Sequence, residues 1–236
     1  MKTIAIMQPH LFPWFGYFEI IRNSDIFIFL DNIRFPHRSY VNRVKFRFEN
    51  NIDWLSLPIE RRNDQTIINT KLFNKEKSFK ILKKKIFYSL KNNNNFDIIE
   101  NKINKISIEK ISTISEFNKI TIKSIASLIF GKKINIIEYP KIQSEKTKGD
   151  KILEICKFFK ATNYLTGFGG KNYLDFELFE KNGINVEFLD YNLGRYTNSQ
   201  INNLSILDIL SHMGKDAENY FLSKKKNWRD FLNKFS

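Results

Sequence analysis

The sequence predicts a layered α/β fold with a mostly parallel sheet and a helical insert in its middle. Short apolar runs alternate with amphipathic segments at both ends of the chain, as in parallel strands joined by helices. The central segment, about residues 76–131, carries apolar residues at i, i+3 and i+4 and predicts helices only. The 236 residues, 23 of them Phe, are enough for one domain with a sizeable core, which we place at 1–236.

The first 31 residues predict a βαβ unit with parallel strands and a right-handed crossover. A helix lies between two apolar strands, in the order 3–8 (TIAIMQ), 16–24 (GYFEIIRNS) and 25–31 (DIFIFLD). The alternating residues 40–48, the turn ENNID and the apolar run 54–59 then predict a β-hairpin. Residues 66–73 are a candidate extension of this hairpin.

Three amphipathic segments follow and form the predicted insert, at 78–91, 96–106 and 114–131. The α/β alternation then returns. Further strands are predicted at 133–139, 163–167 and 184–191, and further helices at 148–160, 175–183, 204–214 and 217–235.

The formal net charge of +14 leaves two interpretations open. One is a polyanionic partner, such as nucleic acid or a phosphate-bearing ligand, and the other is a solvated surface rich in Lys. The single cysteine, Cys156, excludes a disulfide framework and lies at helical core spacing, so we interpret it as a packed thiol. Without signal-peptide features or a stretch of membrane-spanning length, we expect a cytoplasmic protein with no membrane span.

Ligands of parallel sheets bind beyond the carboxyl ends of the strands, where the first candidate loop, 8–16 (QPHLFPWFG), is expected. His10 is a candidate general base because imidazole titrates near working pH, and Gln8 is a candidate positioning amide. Gly16 starts a helix, so its N–H is a candidate anion or oxyanion donor. The alternative is a plain strand-to-helix turn with Trp14 packed into the core.

The second candidate loop begins at Asp31 and is rich in cations. Arg38 and Arg43 are candidate bidentate ligands of phosphate groups, and Asp31 is a candidate partner of an amine or a ribose hydroxyl. The alternative is an exposed strand face with ordinary ion pairs.

The third candidate loop, 167–170 (GFGG), follows a predicted strand. Glycines there permit close approach of the backbone to a ligand, and Gly169 is another candidate oxyanion donor. The loop matches neither the dinucleotide-binding fingerprint nor a P-loop. The three histidines lack the spacing of metal ligands, so we predict no metal site.

Several segments, in the same order over nearly the whole chain, resemble the WbqC-like family. They are IAIMQPHLFPWFGYFEII, DIFIFLDNIRF, RSYVNR, WLSLPI, YLTGFGGKNYL and LSILDIL. The resemblance implies a role in O-antigen and related surface-polysaccharide biosynthesis, as a glycine transferase or related enzyme that acylates an amino sugar. The residues that it carries over are Gln8, Pro9, His10, Trp14, Gly16, Tyr17, Asp31, Asn42, Arg43, Trp54, Gly167 and Tyr173. Tyr40 stands where we expect Trp, which preserves aromatic stacking.

The opening βαβ unit also resembles, more distantly, the Rossmann-like nucleotidyltransferase superfamily, which includes pantothenate synthetase. Those enzymes place a His-x-Gly-His element on the phosphates of ATP. The matching frame here is Trp14-Phe15-Gly16-Tyr17, which lacks both histidines. His10 would have to take over part of their work in any ATP-dependent adenylation.

We therefore predict an enzyme that transfers an aminoacyl group, such as glycyl, or another acyl group to the amine of a nucleotide-linked amino sugar. The candidate catalytic residues are His10, Gln8 and Asp31. The candidate substrate-binding residues are Trp14, Gly16, Tyr17, Arg38, Asn42, Arg43, Trp54, Gly167, Gly169 and Tyr173. The acyl donor stays open among an adenylate made from ATP, a thioester of CoA or a carrier protein, and aminoacyl-tRNA. The alternatives are a pantothenate-synthetase-type amide ligase, a glycosyltransferase-like sugar enzyme and a basic nucleic-acid-binding module.

Overall fold

The computed structural model describes residues 1–37, 39–48, 51–60, 65–131, 134–140, 142 and 145–233. Its centre is a sheet of six strands: β1 (Thr3–Met7), β2 (Ile26–Phe29), β5 (Ile136–Ile137), β6 (Asn163–Thr166), β7 (Asn185–Asp190) and β8 (Lys224–Asn227). Their order across the sheet is β5-β2-β1-β6-β7-β8. All neighbouring pairs are parallel except β7 with β8, which confirms the predicted α/β fold with a mostly parallel sheet.

Helices cover both faces of this sheet, because successive residues of a buried strand point to opposite faces. Ala5 packs in one hydrophobic cluster, and Ile4 and Ile6 pack in another. The first cluster includes α1 (Phe15–Arg22), α4 (Ile114–Phe130) and α7 (Ile206–Met213). The second includes α5 (Lys148–Phe158), α6 (Phe176–Lys181) and α8 (Trp228–Leu232).

The segment predicted as an insert contains α2 (Lys75–Leu90), α3 (Phe96–Asn104) and the longer α4. Thr113 and Glu116 form a capping box at the start of α4: the Thr113 side chain accepts from the Glu116 N–H, and the Glu116 carboxylate accepts in return. The buried faces of these three helices join the same hydrophobic cluster as α1, so the insert packs directly on one face of the sheet.

The predicted hairpin is present as β3 (Arg43–Phe48) and β4 (Asn51–Ser56), which form a separate antiparallel two-stranded sheet. Residues 66–73 do not extend it. They make isolated bridges instead, from Thr66 to Arg34, from Lys71 to Thr113 and from Leu72 to Ile59. This segment therefore ties the hairpin region to the start of α4.

The predicted helix at 217–235 is wrong. A 3₁₀ helix covers Gly214–Tyr220, and β8 and the short α8 follow it. The run of lysines in β8 has no apolar face that a sequence pattern could detect, but its charges fit the edge of this sheet. Lys225 forms an ion pair with Glu187 at 3.5 Å, and Lys226 forms one with Asp190 at 2.8 Å; both acidic residues belong to the neighbouring strand β7.

A long-range contact joins β8 to the opening helix. The carboxylate of Glu19 in α1 is fully buried, and Ser223, just before β8, donates its N–H to it at 2.9 Å. The hydroxyl of Ser223 also donates to this carboxylate. Burial raises the pKa of Glu19, although the hydrogen bonds from Ser223 and the charge of Arg22 act in the opposite direction.

Cys156 lies buried in α5, where burial raises the pKa of its thiol to about 12, so its environment is that of a packed side chain. In the described parts of the chain, the helices are too short or too polar to cross a membrane.

Candidate functional site

A cleft of about 890 Å³ opens at the carboxyl ends of the central strands. It lies where the chain order of the strands reverses across the sheet, which is where doubly wound α/β proteins bind their ligands. Residues that follow β1, β2 and β6 line it together with the start of α5. They include Gln8, His10, Asn32, Arg34, Lys146, Thr147, Lys148, Lys151, Thr166, Gly167, Gly169 and Tyr173.

The first candidate loop is held in place through its backbone. The buried amide of Asn118 in α4 donates to the carbonyl of Pro9 at 2.8 Å and to that of Val41 at 2.7 Å. Tyr17 donates its hydroxyl to the Gln8 carbonyl at 2.9 Å, and Ser205 donates to the Phe12 carbonyl at 2.9 Å. These contacts fix the loop against three different parts of the chain, so the side chains that it presents to the cleft are preorganised.

His10 is the titratable side chain that this loop brings to the cleft. Its ring packs beside those of Tyr17 and Tyr40, with centroids 5.5 Å and 5.9 Å away. Among the described residues, neither ring nitrogen has a hydrogen-bond partner. Burial lowers the pKa of His10 to about 4, so the imidazole is neutral at pH 7 and can accept a proton or a hydrogen bond from a ligand.

Gly16 and Gly167 are glycines because Tyr191 packs against both of them. A Cβ at Gly16 would lie 2.5 Å from Cε1 of Tyr191, and a Cβ at Gly167 would lie 2.5 Å from its hydroxyl. Trp14 packs against the same tyrosine, with ring centroids 4.5 Å apart and the ring planes tilted by 59°. Tyr191 thus joins the first and third loops. Gly167 lines the cleft, whereas Trp14, Gly16 and the buried Tyr17 do not.

The third loop forms a 3₁₀ helix, Phe168–Asn172, directly after β6. A Cβ at Gly169 would meet nothing within 4 Å, so the backbone here faces open space. Gly169 and Tyr173 both line the cleft, as the sequence predicted for a glycine loop at this edge. The first N–H groups of such a helix have no acceptor within the helix, so they are available to a ligand.

Asp31 does not line the cleft. Its carboxylate is 1% exposed, accepts from the hydroxyl of Ser115 at 2.5 Å and pairs with Lys119 at 2.5 Å. Lys119 also pairs with Glu138. Burial alone would lower the pKa of Lys119, but its hydrogen bonds to Asp31 and Glu138 raise it. This network ties α4 to the end of β2, which is a positioning role.

The aromatic residues of the hairpin region form an array that starts at His10. Tyr40 contacts His10, Trp54 packs 5.6 Å from Tyr40, and the guanidinium of Arg43 lies 4.2 Å from the Trp54 ring centroid. Asn42 donates to the Leu57 carbonyl at 3.4 Å and so stays within the hairpin region. None of the hairpin residues Asn42, Arg43 and Trp54 lines the cleft. Arg38, the other predicted phosphate ligand, lies outside the described residues.

Cations from another part of the chain line the cleft and were not among the predicted site residues. Lys148 and Lys151 lie at the start of α5, Lys146 lies just before it, and Arg34, in the segment after β2, lines the same cleft. One acidic residue, Glu145, shares this lining. The sequence did contain a signal, because KTKGDK opens a helix that follows a strand of the parallel sheet. Within the described ranges, no three His, Cys, Asp or Glu side chains gather as a metal site would require.

Comparisons with known proteins identify the family of the chain. Residues 8–220 match the model of the WbqC-like protein family. An uncharacterized protein of Mycobacterium tuberculosis (strain ATCC 25618 / H37Rv), Rv1507c, is 26% identical over 228 residues, which cover 93% of this chain and 97% of that protein. The family match spans the first loop after its strand, the helical insert and the third loop. The chain therefore belongs to the WbqC-like protein family.

Proposed function

We propose that this protein is an N-acyltransferase that joins an aminoacyl group, such as glycyl, or another acyl group to the amine of a nucleotide-linked amino sugar. Its role in surface-polysaccharide biosynthesis is the one implied by the resemblance to the WbqC-like family. One observation carries the proposal: a neutral histidine, His10, lines a cleft of about 890 Å³ at the carboxyl edge of a parallel sheet. A cleft of this volume lies in the range of small-molecule sites.

The proposed reaction needs a base for the ammonium proton and a hydrogen-bond donor for the oxyanion. The amine attacks the acyl carbonyl carbon, a C–N bond forms, and the carbonyl oxygen becomes an oxyanion. A base then removes the ammonium proton, and the bond from the acyl carbon to the donor's leaving group breaks. His10 is the proposed base. Its pKa of about 4 is low for this task, and the negative charge of a bound nucleotide would raise it.

Three other groups have proposed roles around His10. Gly169 lines the cleft, and its N–H is the candidate donor to the oxyanion. Tyr40 has 47% of its surface exposed and packs against His10, so its ring is a candidate platform for the sugar or the base of the nucleotide. Gln8 lines the cleft beside them and is the candidate amide that orients the acceptor.

The test is an acylation assay with His10→Ala and with His37→Ala as the matched control. His37 is an exposed histidine that does not line the cleft. Nucleotide-linked 3-amino and 4-amino sugars are incubated with each donor class, and the acylated sugar nucleotide is detected by its mass. We expect product with the wild type, a rate that is lower by about 10²-fold or more with His10→Ala, and an unchanged rate with His37→Ala. Full activity of His10→Ala would refute the proposed base, and no product from any pairing would refute the function.

The second candidate is an ATP-dependent amide ligase, because the cations of the cleft also suit the phosphates of ATP. The two functions differ in their by-products. A ligase that activates its acid as an adenylate releases pyrophosphate and AMP in step with the amide, whereas a transferase that uses a thioester or an aminoacyl-tRNA releases neither. Measuring pyrophosphate release in the same assay separates them.

A further inference from the structure

Lys151 is a buried cation that the fold itself does not neutralise. It exposes 8% of its surface, in the first turn and a half of α5, and its side chain lines the cleft. In the described part of the chain, its ammonium has no hydrogen bond or ion pair. Its contact is the ring of Tyr139, whose centroid lies 5.1 Å away.

A mostly buried lysine without an ion pair is costly, because its ammonium has lost part of its water without a hydrogen-bonded counter-ion. Burial lowers the pKa of Lys151, and the nearby charge of Glu154 opposes this shift only in part. The carboxylate of Glu154 forms an ion pair with the ammonium of Lys146 at 3.8 Å. Side chains kept at such a cost to stability concentrate at binding sites, where the missing partner is a ligand.

The surroundings of Lys151 point to an anion as that partner. Thr147 and Lys148 form the amino end of α5, an eleven-residue helix, and the positive end of its dipole faces the cleft that both residues line. No side chain caps this helix end, because Thr147 makes no side-chain capping hydrogen bond. Lys148 also holds a φ of 47°, a conformation that residues other than glycine rarely adopt and that concentrates at ligand sites.

We propose that Lys151 and the amino end of α5 bind a diphosphate group, with Lys148 at the rim of the same subsite. The inference deepens the proposed function, since it places the diphosphate of a nucleotide-linked substrate, or of an ATP or CoA donor, on α5. It differs from the sequence prediction, which placed phosphates on Arg38 and Arg43: Arg43 does not line the cleft, and Arg38 lies outside the described residues. A diphosphate fits because its oxygens accept from several N–H donors at once, and Lys146 and Arg34 line the same cleft.

The direct test is calorimetric titration of inorganic pyrophosphate into the wild type, Lys151→Met and Lys157→Met. Lys157 lies on the same helix, is exposed and does not line the cleft. We expect Lys151→Met to weaken binding about tenfold or more, since one charge-assisted hydrogen bond is lost, and Lys157→Met to leave it within about twofold. An equal loss in both variants would show general attraction to basic charge and overturn the assignment.

A second readout separates binding from structure. Met keeps the length of Lys151 without its charge, so ligand-free Lys151→Met should melt at a higher temperature than the wild type. A lower melting temperature, or failure to fold, would make Lys151 a structural residue and overturn the proposal. Lys148→Met, on an exposed side chain, tests the subsite independently and should also weaken pyrophosphate binding.

Competition experiments identify the source of the diphosphate. Displacement of pyrophosphate by a nucleotide-linked amino sugar assigns the subsite to the acceptor, and displacement by ATP or CoA assigns it to the donor. Displacement by none of them would overturn the diphosphate assignment. If pyrophosphate does not bind while His10-dependent acylation is observed, the subsite is wrong and the transferase stands. If it binds through Lys151 without acylation of any sugar, the subsite stands alone.

Discussion

Asn118 offers the sharpest test of how the first loop is held. Its amide nitrogen donates to two carbonyls, those of Pro9 and Val41, at 2.8 Å and 2.7 Å, and the residue is fully buried. Asn118→Ala leaves both carbonyls without this donor, at roughly 1–3 kcal/mol each. The side-chain oxygen of Asn118 is buried without a hydrogen-bond partner, so removing it stabilises the variant and offsets part of this loss. We therefore expect a net loss of about 3 kcal/mol in the free energy of unfolding.

The assay is urea unfolding, accompanied by hydrogen exchange of the loop. A loss of about 3 kcal/mol corresponds to a melting temperature about 6–12 °C lower in a chain of this size. Leu11, whose N–H donates to the Tyr40 carbonyl at 2.9 Å, should exchange faster because the loop is released. Asn101→Ala, an exposed position on α3, is the control and should change stability by less than about 0.5 kcal/mol. A loss below about 1 kcal/mol in Asn118→Ala, with unchanged exchange at Leu11, would refute the idea that these two bonds hold the loop.

Three further predictions concern other parts of the site and the core. Gly167→Ala should destabilise the fold by about 2 kcal/mol, because its Cβ would lie 2.5 Å from the Tyr191 hydroxyl, whereas Gly169→Ala should leave the stability unchanged. In a Tyr191→Phe background, chemical unfolding should show a smaller cost of Gly167→Ala, and an unchanged cost would contradict this reasoning. The folded pKa of His10, about 4, lies below its ordinary value of 6.5, so His10 contributes stability above pH 6.5 that is lost as pH falls towards 4. His10→Phe should remove this part of the pH dependence of the free energy of unfolding, which is at most about 3 kcal/mol. Parallel plots of unfolding free energy against pH for the two proteins would exclude this contribution of His10. Cys156, with a thiol pKa of about 12, should react with iodoacetamide at pH 8 only after unfolding, and fast labelling of the native protein would contradict its burial.

Much of the fold was predictable because its strands are short apolar runs and its helices carry regular amphipathic patterns. The parallel order of β1 and β2 follows from these patterns alone. The strand β8 was not predictable in the same way. Its Lys-rich sequence carries no periodic apolar signal, and its backbone pairing with β7, with two ion pairs beside it, involves a segment distant in sequence. A sequence pattern detects burial, whereas this strand is defined by backbone pairing with β7.

The candidate site likewise combines features that local sequence predicts with features that depend on contacts between distant segments. That His10, Gly167 and Tyr173 lie at one edge follows from their positions after strands, and the structure brings them to one cleft. Asp31 also follows a strand, yet its side chain turns to Lys119, since a buried carboxylate takes the nearest cation. Gly16 was expected to face a ligand and instead makes room for Tyr191, which follows the distant β7. Such contacts between distant segments leave no trace in local sequence.

The bond between Glu19 and Ser223 has a consequence for synthesis. The two residues are 204 positions apart, so a growing chain carries the carboxylate of α1 long before its donors exist. Until Ser223 arrives, docking α1 on the sheet would bury a charge without its hydrogen bonds, at a cost of several kcal/mol. The opening helix, and the first loop that leads into it, therefore settle late. A chain cut short before β8 stays partly open at its first helix and is exposed to proteases there.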